Sequence, residues 1–340
     1  MTRTEVPGLD LDHLRAWLDR AVPDAGPGLI AELIVGGRSN LTYAITDGTR
    51  TWVLRRPPLG HVLATAHDMG REYRVMSALQ PTDVPVPPLR GLCADPAVLG
   101  APFYLMDRVP GTPYRQAAEL VPLGPARTRA ISEKLIDVLA TLHAVDPATV
   151  GLADFGRPEG FLVRQVDRWR RQLAASHSRD LPAADRLHAE LAARIPESAP
   201  AGIVHGDFRL DNLLIDENDR PTALIDWEMS TLGDPLTDLA LMLVYHRVAI
   251  DLGPLVPDAS TAPGYLDERA TVQRYAAATG RDVSHLGWYL ALASYKLAGV
   301  LEGIHYRHTR GKTVGAGFDA VGDVVEPLLE SGLRALREQS

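Results

Sequence analysis

Several scarcities in this 340-residue sequence exclude whole classes of protein. Cys93 is the single cysteine, so neither an intrachain disulfide nor a cysteine-based metal cluster can form. The longest clean apolar run, from Leu239 to Tyr245, is far shorter than the roughly 18 residues of a membrane-spanning helix. The N-terminal run "MTRTEVPGLDLDHLRAWLDR" lacks the apolar core of a signal peptide, and the net charge of -8 leaves no cationic excess for nucleic acid. We therefore expect a cytoplasmic protein with no membrane or nucleic-acid partner.

Lysine is also scarce, because the 35 basic residues include only Lys134, Lys296 and Lys312. Every permanently cationic side chain before Lys134 is therefore an arginine. The remaining composition, with 46% hydrophobic and 23% charged residues, is typical of globular domains. The length suggests about two of them, and no surface is marked for oligomerisation.

The spacing of apolar residues predicts strands in the first third of the chain and helices in the rest. We predict a helix over 10–21, two or three strands within 29–58, a helix over 65–80 and a buried strand after Gly100. Further helices are predicted near positions 131–142, 160–175, 182–194, 236–248, 265–279, 285–309 and 318–337. Two short strands, "NLLID" and "TALIDWE", interrupt the helical part, and the Pro-rich run 81–91 is interpreted as an irregular connection. The fold class predicted is α+β.

The run "IVHGDFRLDNLLID", from Ile203 to Asp216, places acids and an amide before a predicted strand. Phosphoryl transfer needs a carboxylate that orients the attacking hydroxyl and accepts its proton, together with oxygen ligands for Mg²⁺. Asp207 and Asn212 lie on the loop that enters this strand, and Asp226 lies at the end of the second strand of the hairpin. A hairpin of this length is expected to bring Asn212 and Asp226 within reach of one metal ion.

These motifs resemble those of a known superfamily. "HGDFRLDN" resembles the catalytic loop of the aminoglycoside phosphotransferase and protein-kinase-like superfamily, and "IDWE" and "GDPLTDLA" are similar to its metal-binding region. "GGRSNLTY", "VLRRPP", "AHDMGREYRVM" and "LEGIHYRHTRGKTVGAGFD" resemble one branch, the kinase-like domain found alone or fused to some acyl-CoA dehydrogenases. The resemblance implies a two-lobed kinase-like fold, with a small antiparallel-sheet N-lobe (1–106), a hinge (107–111) and a larger, mainly helical C-lobe (112–340).

The resemblance also implies roles for individual residues. Asp207 would be the catalytic base or the group that orients the substrate hydroxyl, and Asn212 and Asp226 would bind Mg²⁺. Asp238 would brace the catalytic loop, and His205 would serve it as a structural hydrogen-bonding residue. The loop over the phosphates would consist of Gly36, Gly37, Ser39 and Asn40. Asp107 to Val109 would offer backbone groups to the nucleobase of ATP or GTP.

Protein kinases grip the nucleotide phosphates with a lysine on the third strand, and this first lobe contains none. Strand alternation puts Val53 and Arg55 on one face and Leu54 and Arg56 on the other. We predict that Arg55 replaces the lysine, with Arg56 as the alternative. Glu72, on the following helix, is its expected partner, and arginine can grip phosphate with two hydrogen bonds.

The substrate is predicted from the helix over 285–309. Lys296 and Arg307 fall on one stripe of this helix and would form a wall that favours an anionic substrate. Glu228 would add a contact to substrate or metal.

The sequence therefore predicts a kinase that phosphorylates a hydroxyl of a small molecule, with a hydroxyacyl or other anionic metabolite as the favoured substrate. The alternatives are an aminoglycoside-type phosphotransferase, a non-catalytic nucleotide-binding scaffold of the same fold, and transfer of a nucleotidyl group. A protein substrate is disfavoured, because no activation segment follows Asp226.

Overall fold

The computed structural model describes residues 6–34, 40–59, 67–176, 179–252, 256–311, 318 and 320–338. The chain forms two compact units. The first unit comprises Met1–Gly111 and the separate segment Thr222–Met229, and the second comprises Thr112–Pro221 and Ser230–Ser340. The sequence prediction assigned Thr222–Met229 to the second lobe, whereas here this segment groups with the first.

The first unit is built on an antiparallel sheet of five strands, which are β1 (Ile30–Leu33), β2 (Leu41–Thr46), β3 (Thr51–Arg56), β4 (Leu89–Cys93) and β5 (Phe103–Asp107). Their order in the sheet is β1-β2-β3-β5-β4. The helices of the unit are α1 (Leu11–Ala21), α2 (Met69–Leu79) and the short α3 (Pro96–Leu99). Asp10 and Asp68 cap α1 and α2, since each side chain accepts hydrogen bonds from N–H groups of the first turn.

Alternation along β3 separates the core of this unit from its polar cluster. Trp52 and Leu54 are buried in an apolar core with residues of α1, including Leu14 and Leu18. Arg55, the next residue along, points to the opposite face and lies across the sheet from Tyr104 on β5. Alternation along β3 therefore decides which arginine can reach Glu72 on α2.

The second unit is mainly helical. Its longer helices are α5 (Pro125–Ala144), α6 (Phe161–Ala175), α7 (Pro182–Ala193), α8 (Leu236–Leu252), α9 (Glu268–Thr279), α10 (Leu286–Thr309) and α11 (Val325–Arg337), with the short α4 (Ala117–Leu120) before them. α10 is apolar on all sides over most of its length and packs against α6, α8 and α11, so it forms the centre of the unit.

Four short strands lie within or near the run from Ile203 to Asp216 in the sequence. They are β6 (Gly202–Val204), β7 (Leu213–Ile215), β8 (Pro221–Leu224) and β9 (Thr231–Gly233), and β6 pairs with β9 in antiparallel orientation. In the part of the chain that the structure describes, no helix combines the length and the apolar character needed to cross a bilayer.

The α+β fold class is confirmed, and two local predictions are wrong. The run 81–91 is not wholly irregular, because β4 begins at Leu89, directly after the last proline. The strand predicted over "TALIDWE" ends at Leu224, and Trp227–Met229 form a 3₁₀ turn. Asp226 lies between the two with φ of 68°, a left-handed backbone that a strand cannot contain.

Gly264 tests how tightly the second unit is packed. Its φ is 93°, and a Cβ atom there would overlap the backbone of Pro125. We expect Gly264→Ala to lower the free energy of unfolding by more than about 3 kcal/mol, because backbone strain and a backbone clash add. Gly280→Ala, at φ of 66° in open space, should cost only about 1 kcal/mol. Urea denaturation of both variants measures the difference, and equal losses would contradict this account.

Candidate active site

The loop that follows β6 holds the carboxylate of Asp207 from two sides. Arg209 lies 3.2 Å from each oxygen of this carboxylate, through Nε to Oδ1 and through a terminal nitrogen to Oδ2. Asn212 donates from Nδ2 to the backbone carbonyl of Asp207 at 2.8 Å and to its Oδ2 at 3.3 Å. A quarter of the Asp207 side chain stays exposed, so the carboxylate is fixed in direction yet accessible.

Asp238, in the first turn of α8, holds the backbone just before Asp207. Its two carboxylate oxygens accept hydrogen bonds from the N–H groups of His205 (2.6 Å) and Gly206 (2.8 Å). His143 lies 3.3 Å from the same carboxylate and contacts the hydroxyl of Tyr275 at 2.8 Å. Burial opposes the charge of Asp238, but the hydrogen bonds from His143 and Gly206 hold its pKa below the ordinary value. Asp238 is therefore the loop brace that the sequence predicted.

Two further residues of the motif have structural contacts. The imidazole of His205 is buried, and its Nδ1 lies 3.3 Å from the backbone N–H of Asp207, in agreement with a structural role. Asp211 lies 3.3 Å from Arg209, which also stacks on the ring of Tyr245. Arg209 thus joins both acids of the loop.

Lys296 lies inside the second unit. Its Nζ donates to the carbonyl of Gly206 at 2.8 Å and lies 5.8 Å from the centre of the Trp169 ring. Burial lowers the pKa of Lys296, while Asp207 and Asp238 act in the opposite direction. Arg307 is exposed, about three turns further along α10. The two residues therefore differ in surroundings, although the helical period puts them on one stripe.

In the first unit, Arg55 lies among three carboxylates. Its guanidinium is 2.5 Å from Asp226, 3.2 Å from Glu72 and 3.7 Å from Glu228. Burial alone would lower the pKa of Arg55, but Tyr104, Glu72 and Asp226 raise it above its ordinary value. The cation is therefore permanent, and the cluster carries more negative than positive charge.

Glu72 and Asn40 complete this cluster. The hydroxyl of Tyr104 donates to Glu72 at 2.9 Å, and Asn40 donates from Nδ2 to both Glu72 and Glu228 at 3.1 Å. Burial raises the pKa of Glu72 to about 7, although Arg55 and Tyr104 lower it. Asn40 therefore bridges two acids, a contact that the sequence did not predict.

Other predicted nucleotide contacts are distributed as follows. Gly36, Gly37 and Ser39 lie outside the described residues, so their predicted role stays a prediction. The backbone N–H groups of Asp107 and Arg108 donate to the carbonyls of Pro88 and Thr51. The role of Asp107 to Val109 at the nucleobase therefore stays a prediction.

Arg56 is buried on the other face of β3 from Arg55. Its guanidinium donates to the carbonyls of Gly8 and Leu99. These contacts fix the segment before α1 and the end of α3 to the sheet, and they leave Arg55 as the arginine that faces acids.

The contact between Arg209 and Asp207 was not predicted from the sequence. Arg209 also lines a pocket with Asp211, Tyr245, His246 and Tyr265. The available signal was the alternate spacing of Asp207 and Arg209 in an extended segment, which puts both side chains on one side.

Comparisons with known proteins show the family to which the chain belongs. Residues 30–277 match the family model described as "Phosphotransferase enzyme family". The chain is 33% identical to acyl-CoA dehydrogenase family member 11 of Rattus norvegicus, over 96% of this chain and 43% of that protein. It is 35% identical to family member 10 of Mus musculus, over 86% of this chain and 28% of that protein. The chain thus spans less than half the length of these curated relatives.

Solved structures share the fold. One is a protein of Ralstonia eutropha JMP134 whose name places it among the aminoglycoside phosphotransferases, with 34% identity, a TM-score of 0.85 and coverage of 97% of this chain and 98% of that one. Likeness in fold alone extends to APH(4)-Ia, solved with ADP and hygromycin B, at 17% identity, TM-score 0.63 and coverage of 94% and 97%. It also extends to aminoglycoside 2'-phosphotransferase-IIIa with GDP, at 16% identity, TM-score 0.60 and coverage of 97% of each chain.

The raised pKa of Glu72 makes stability depend on pH. Between the ordinary value of 4.5 and about 7, the unfolded state loses its proton while the folded state keeps it, so the free energy of unfolding falls as pH rises. Glu72→Gln removes this effect, so we expect the variant to gain on the order of 1–3 kcal/mol relative to the wild type from about pH 5 to 8. Urea titrations across this range measure the gain. A difference between the two proteins that is constant with pH would contradict the assignment.

Proposed function

Because the chain belongs to the phosphotransferase enzyme family, we propose that it is a small-molecule kinase that transfers the γ-phosphoryl group of ATP or GTP to an alcohol hydroxyl. The observation that carries this proposal is the catalytic loop itself. Asp207 is accessible, is held in direction by Arg209 and Asn212, and stands on a backbone fixed by Asp238.

In the proposed reaction Asp207 orients the acceptor hydroxyl. The hydroxyl oxygen attacks the γ-phosphorus, the bond from that phosphorus to the bridging oxygen of the nucleoside diphosphate breaks, and the proton passes to Asp207. The fixed carboxylate reduces the entropy cost of alignment.

Arg55 would grip the phosphates of the nucleotide. A guanidinium forms two parallel hydrogen bonds with phosphate oxygens, and Glu72 holds the Arg55 side chain in place at 3.2 Å. Nucleotide use is supported by the folds solved with ADP and with GDP, and both ATP and GTP remain candidates. Asn40 and Val109 would add contacts from the phosphate loop and the hinge.

We propose Mg²⁺ as the metal, because the side chains of Asn212 and Asp226 carry the oxygen donors that this ion prefers. Among the described residues, no group of three or more His, Cys, Asp or Glu side chains forms a ready metal cage. Mg²⁺ is ordinarily held by one or two carboxylates together with substrate phosphates, so such a cage is not required. Asn212 and Asp226 would supply protein ligands and Glu228 a further contact. The ion would neutralise charge on the phosphates.

Asp226 has a backbone that supports a functional role. It adopts a left-handed conformation, which few residues other than glycine tolerate, and such strain concentrates at functional positions. Its carboxylate is about a third exposed and lies beside Arg55. The carboxylate of Asp226 is thus held in a position in which it can bind a cation.

For the acceptor we favour a hydroxyacyl or other anionic metabolite. The names of the relatives, which are acyl-CoA dehydrogenase family members, support an acyl compound. Arg307 is exposed and available to an anion, whereas Lys296 is engaged with Gly206. An aminoglycoside is the second candidate, supported by the name of the Ralstonia protein.

Activity against a panel of acceptors tests the proposal. Release of ADP from ATP and of GDP from GTP would be measured with hydroxyacyl-CoA thioesters, hydroxy acids, choline, homoserine, macrolides and aminoglycosides. We expect one class to give turnover that Asp207→Asn lowers by about 10²–10⁴-fold. The matched control is Asp216→Asn, at an acid that caps the turn after β7, and it should stay within about twofold.

The product separates the remaining alternatives. Phosphorylated acceptor identifies a kinase, whereas an acceptor carrying AMP identifies a nucleotidyl transferase. Failure to bind either nucleotide would overturn the kinase proposal.

Metal dependence tests the role of Asp226. We expect chelation of Mg²⁺ to abolish turnover, and Asp226→Asn to raise the Mg²⁺ concentration for half-maximal rate by at least about tenfold. Asparagine keeps the left-handed backbone accessible, so the variant changes charge with little added strain. An unchanged Mg²⁺ dependence would remove Asp226 from the metal site.

A further inference from the structure

Lys296 is a cation in the middle of α10, the mostly buried helix at the centre of the second unit. The side chain of Lys296 is partly buried and its ammonium lies 5.8 Å from the centre of the Trp169 ring, so the charge loses part of its hydration. Such a charge is tolerated when specific partners compensate for it. Its partners therefore indicate what it does.

Those partners converge on the residue before Asp207. Lys296 donates to the carbonyl of Gly206 at 2.8 Å, and Asp238 accepts from the N–H of the same residue at 2.8 Å. Gly206 has φ of 87°. Glycine populates positive and negative φ about equally, so its own preference does not hold it in this conformation. The two successive peptide planes around Gly206 are thus each held by a charged side chain.

The second of these planes carries the N–H of Asp207. Because peptide units are planar, a fixed carbonyl at Gly206 also fixes the N–H of Asp207 and the direction in which its Cα lies. Asn212 fixes the carbonyl on the other side of Asp207 at 2.8 Å. The backbone of Asp207 is therefore held on both sides by side chains.

Charge adds to this geometry. The ammonium of Lys296 is attracted by Asp207 and Asp238 and repelled by Arg168 and Arg209, and the face of Trp169 lies beside it. The positive charge of Lys296 thus lies near the Asp207 carboxylate, which would accept the proton of the acceptor hydroxyl.

We propose that Lys296 is a positioning residue, whose ammonium fixes the Gly206–Asp207 peptide so that the Asp207 carboxylate faces the acceptor hydroxyl. This inference rests on the proposed kinase function. It replaces the substrate-wall role predicted for Lys296 from helical spacing. It predicts a loss in the rate of the chemical step with little loss of binding.

Lys134 provides a matched control. Its Nζ also donates to a backbone carbonyl, that of Asp219, at 2.5 Å, in the same unit but in the turn after the catalytic loop. Lys134→Met and Lys296→Met remove the same atoms and the same type of hydrogen bond. A difference between them reports on position.

With an acceptor that the wild type phosphorylates and Asp207→Asn does not, we expect Lys296→Met to lower kcat about 30–100-fold. The KM values for nucleotide and acceptor should stay within about threefold, and Lys134→Met should leave kcat within about threefold. Propylammonium should restore at least about a tenth of the wild-type kcat to Lys296→Ala and nothing to Asp207→Asn. Equal kcat losses in the two methionine variants, or absence of rescue, would overturn the proposal.

Deuterium exchange keeps the inference testable when no acceptor on the panel reacts. Lys296→Met should speed exchange of the backbone amides from Ile203 to Asn212, whereas Lys134→Met should not. Unchanged exchange in this segment would overturn the positioning role of Lys296 without bearing on the kinase assignment. If the kinase assignment is wrong, the wild-type protein would instead bind neither ATP nor GTP.

Discussion

The loop that carries Asp207 depends on the hydrogen bonds that the buried carboxylate of Asp238 accepts. Two consecutive backbone N–H groups, of His205 and Gly206, have this side chain as their acceptor. Two such hydrogen bonds to one ionised group are individually strong and together set the path of the chain. His143 and Tyr275 lie behind Asp238, so the loop is fixed to α5 and α9 as well as to α8. The irregular loop that carries the carboxylate of Asp207 is thus held by contacts from helices.

In the first unit, one permanent cation is surrounded by several acids. Arg55 is shared by Glu72, Asp226 and Glu228, and Asn40 links two of these acids. Three carboxylates around one guanidinium leave an excess of negative charge, which favours binding of a further cation. The high pKa of Glu72 is the cost of that excess, since burial and neighbouring acids both disfavour its ionised form. The cluster therefore combines a group suited to phosphate with groups suited to metal.

Much of this could be predicted from sequence because the informative signals were local. The order of strands and helices, the facing of Arg55 and the bracing role of Asp238 followed from alternation and from the motif. Helical spacing could not show that Lys296 contacts Gly206, because it gives the stripe of a residue but not what packs against it. β4 was hidden by prolines that end just before it, and Asn40 joins Glu72 and Glu228 across long separations in the chain. The missed features are thus the tertiary ones.

Arginine in place of lysine on β3 has a consequence for chemical labelling. Lysine amines near nucleotide phosphates can be acylated by electrophiles that the nucleotide itself delivers, because a fraction of the amine is unprotonated and nucleophilic. The guanidinium of Arg55 keeps its proton at any working pH, and its carboxylate neighbours strengthen that preference. No lysine precedes Lys134, so the sheet and helices of the first unit offer no amine side chain to react. An electrophilic nucleotide that marks protein kinases through their strand lysine would therefore leave the side chains of the first unit unlabelled.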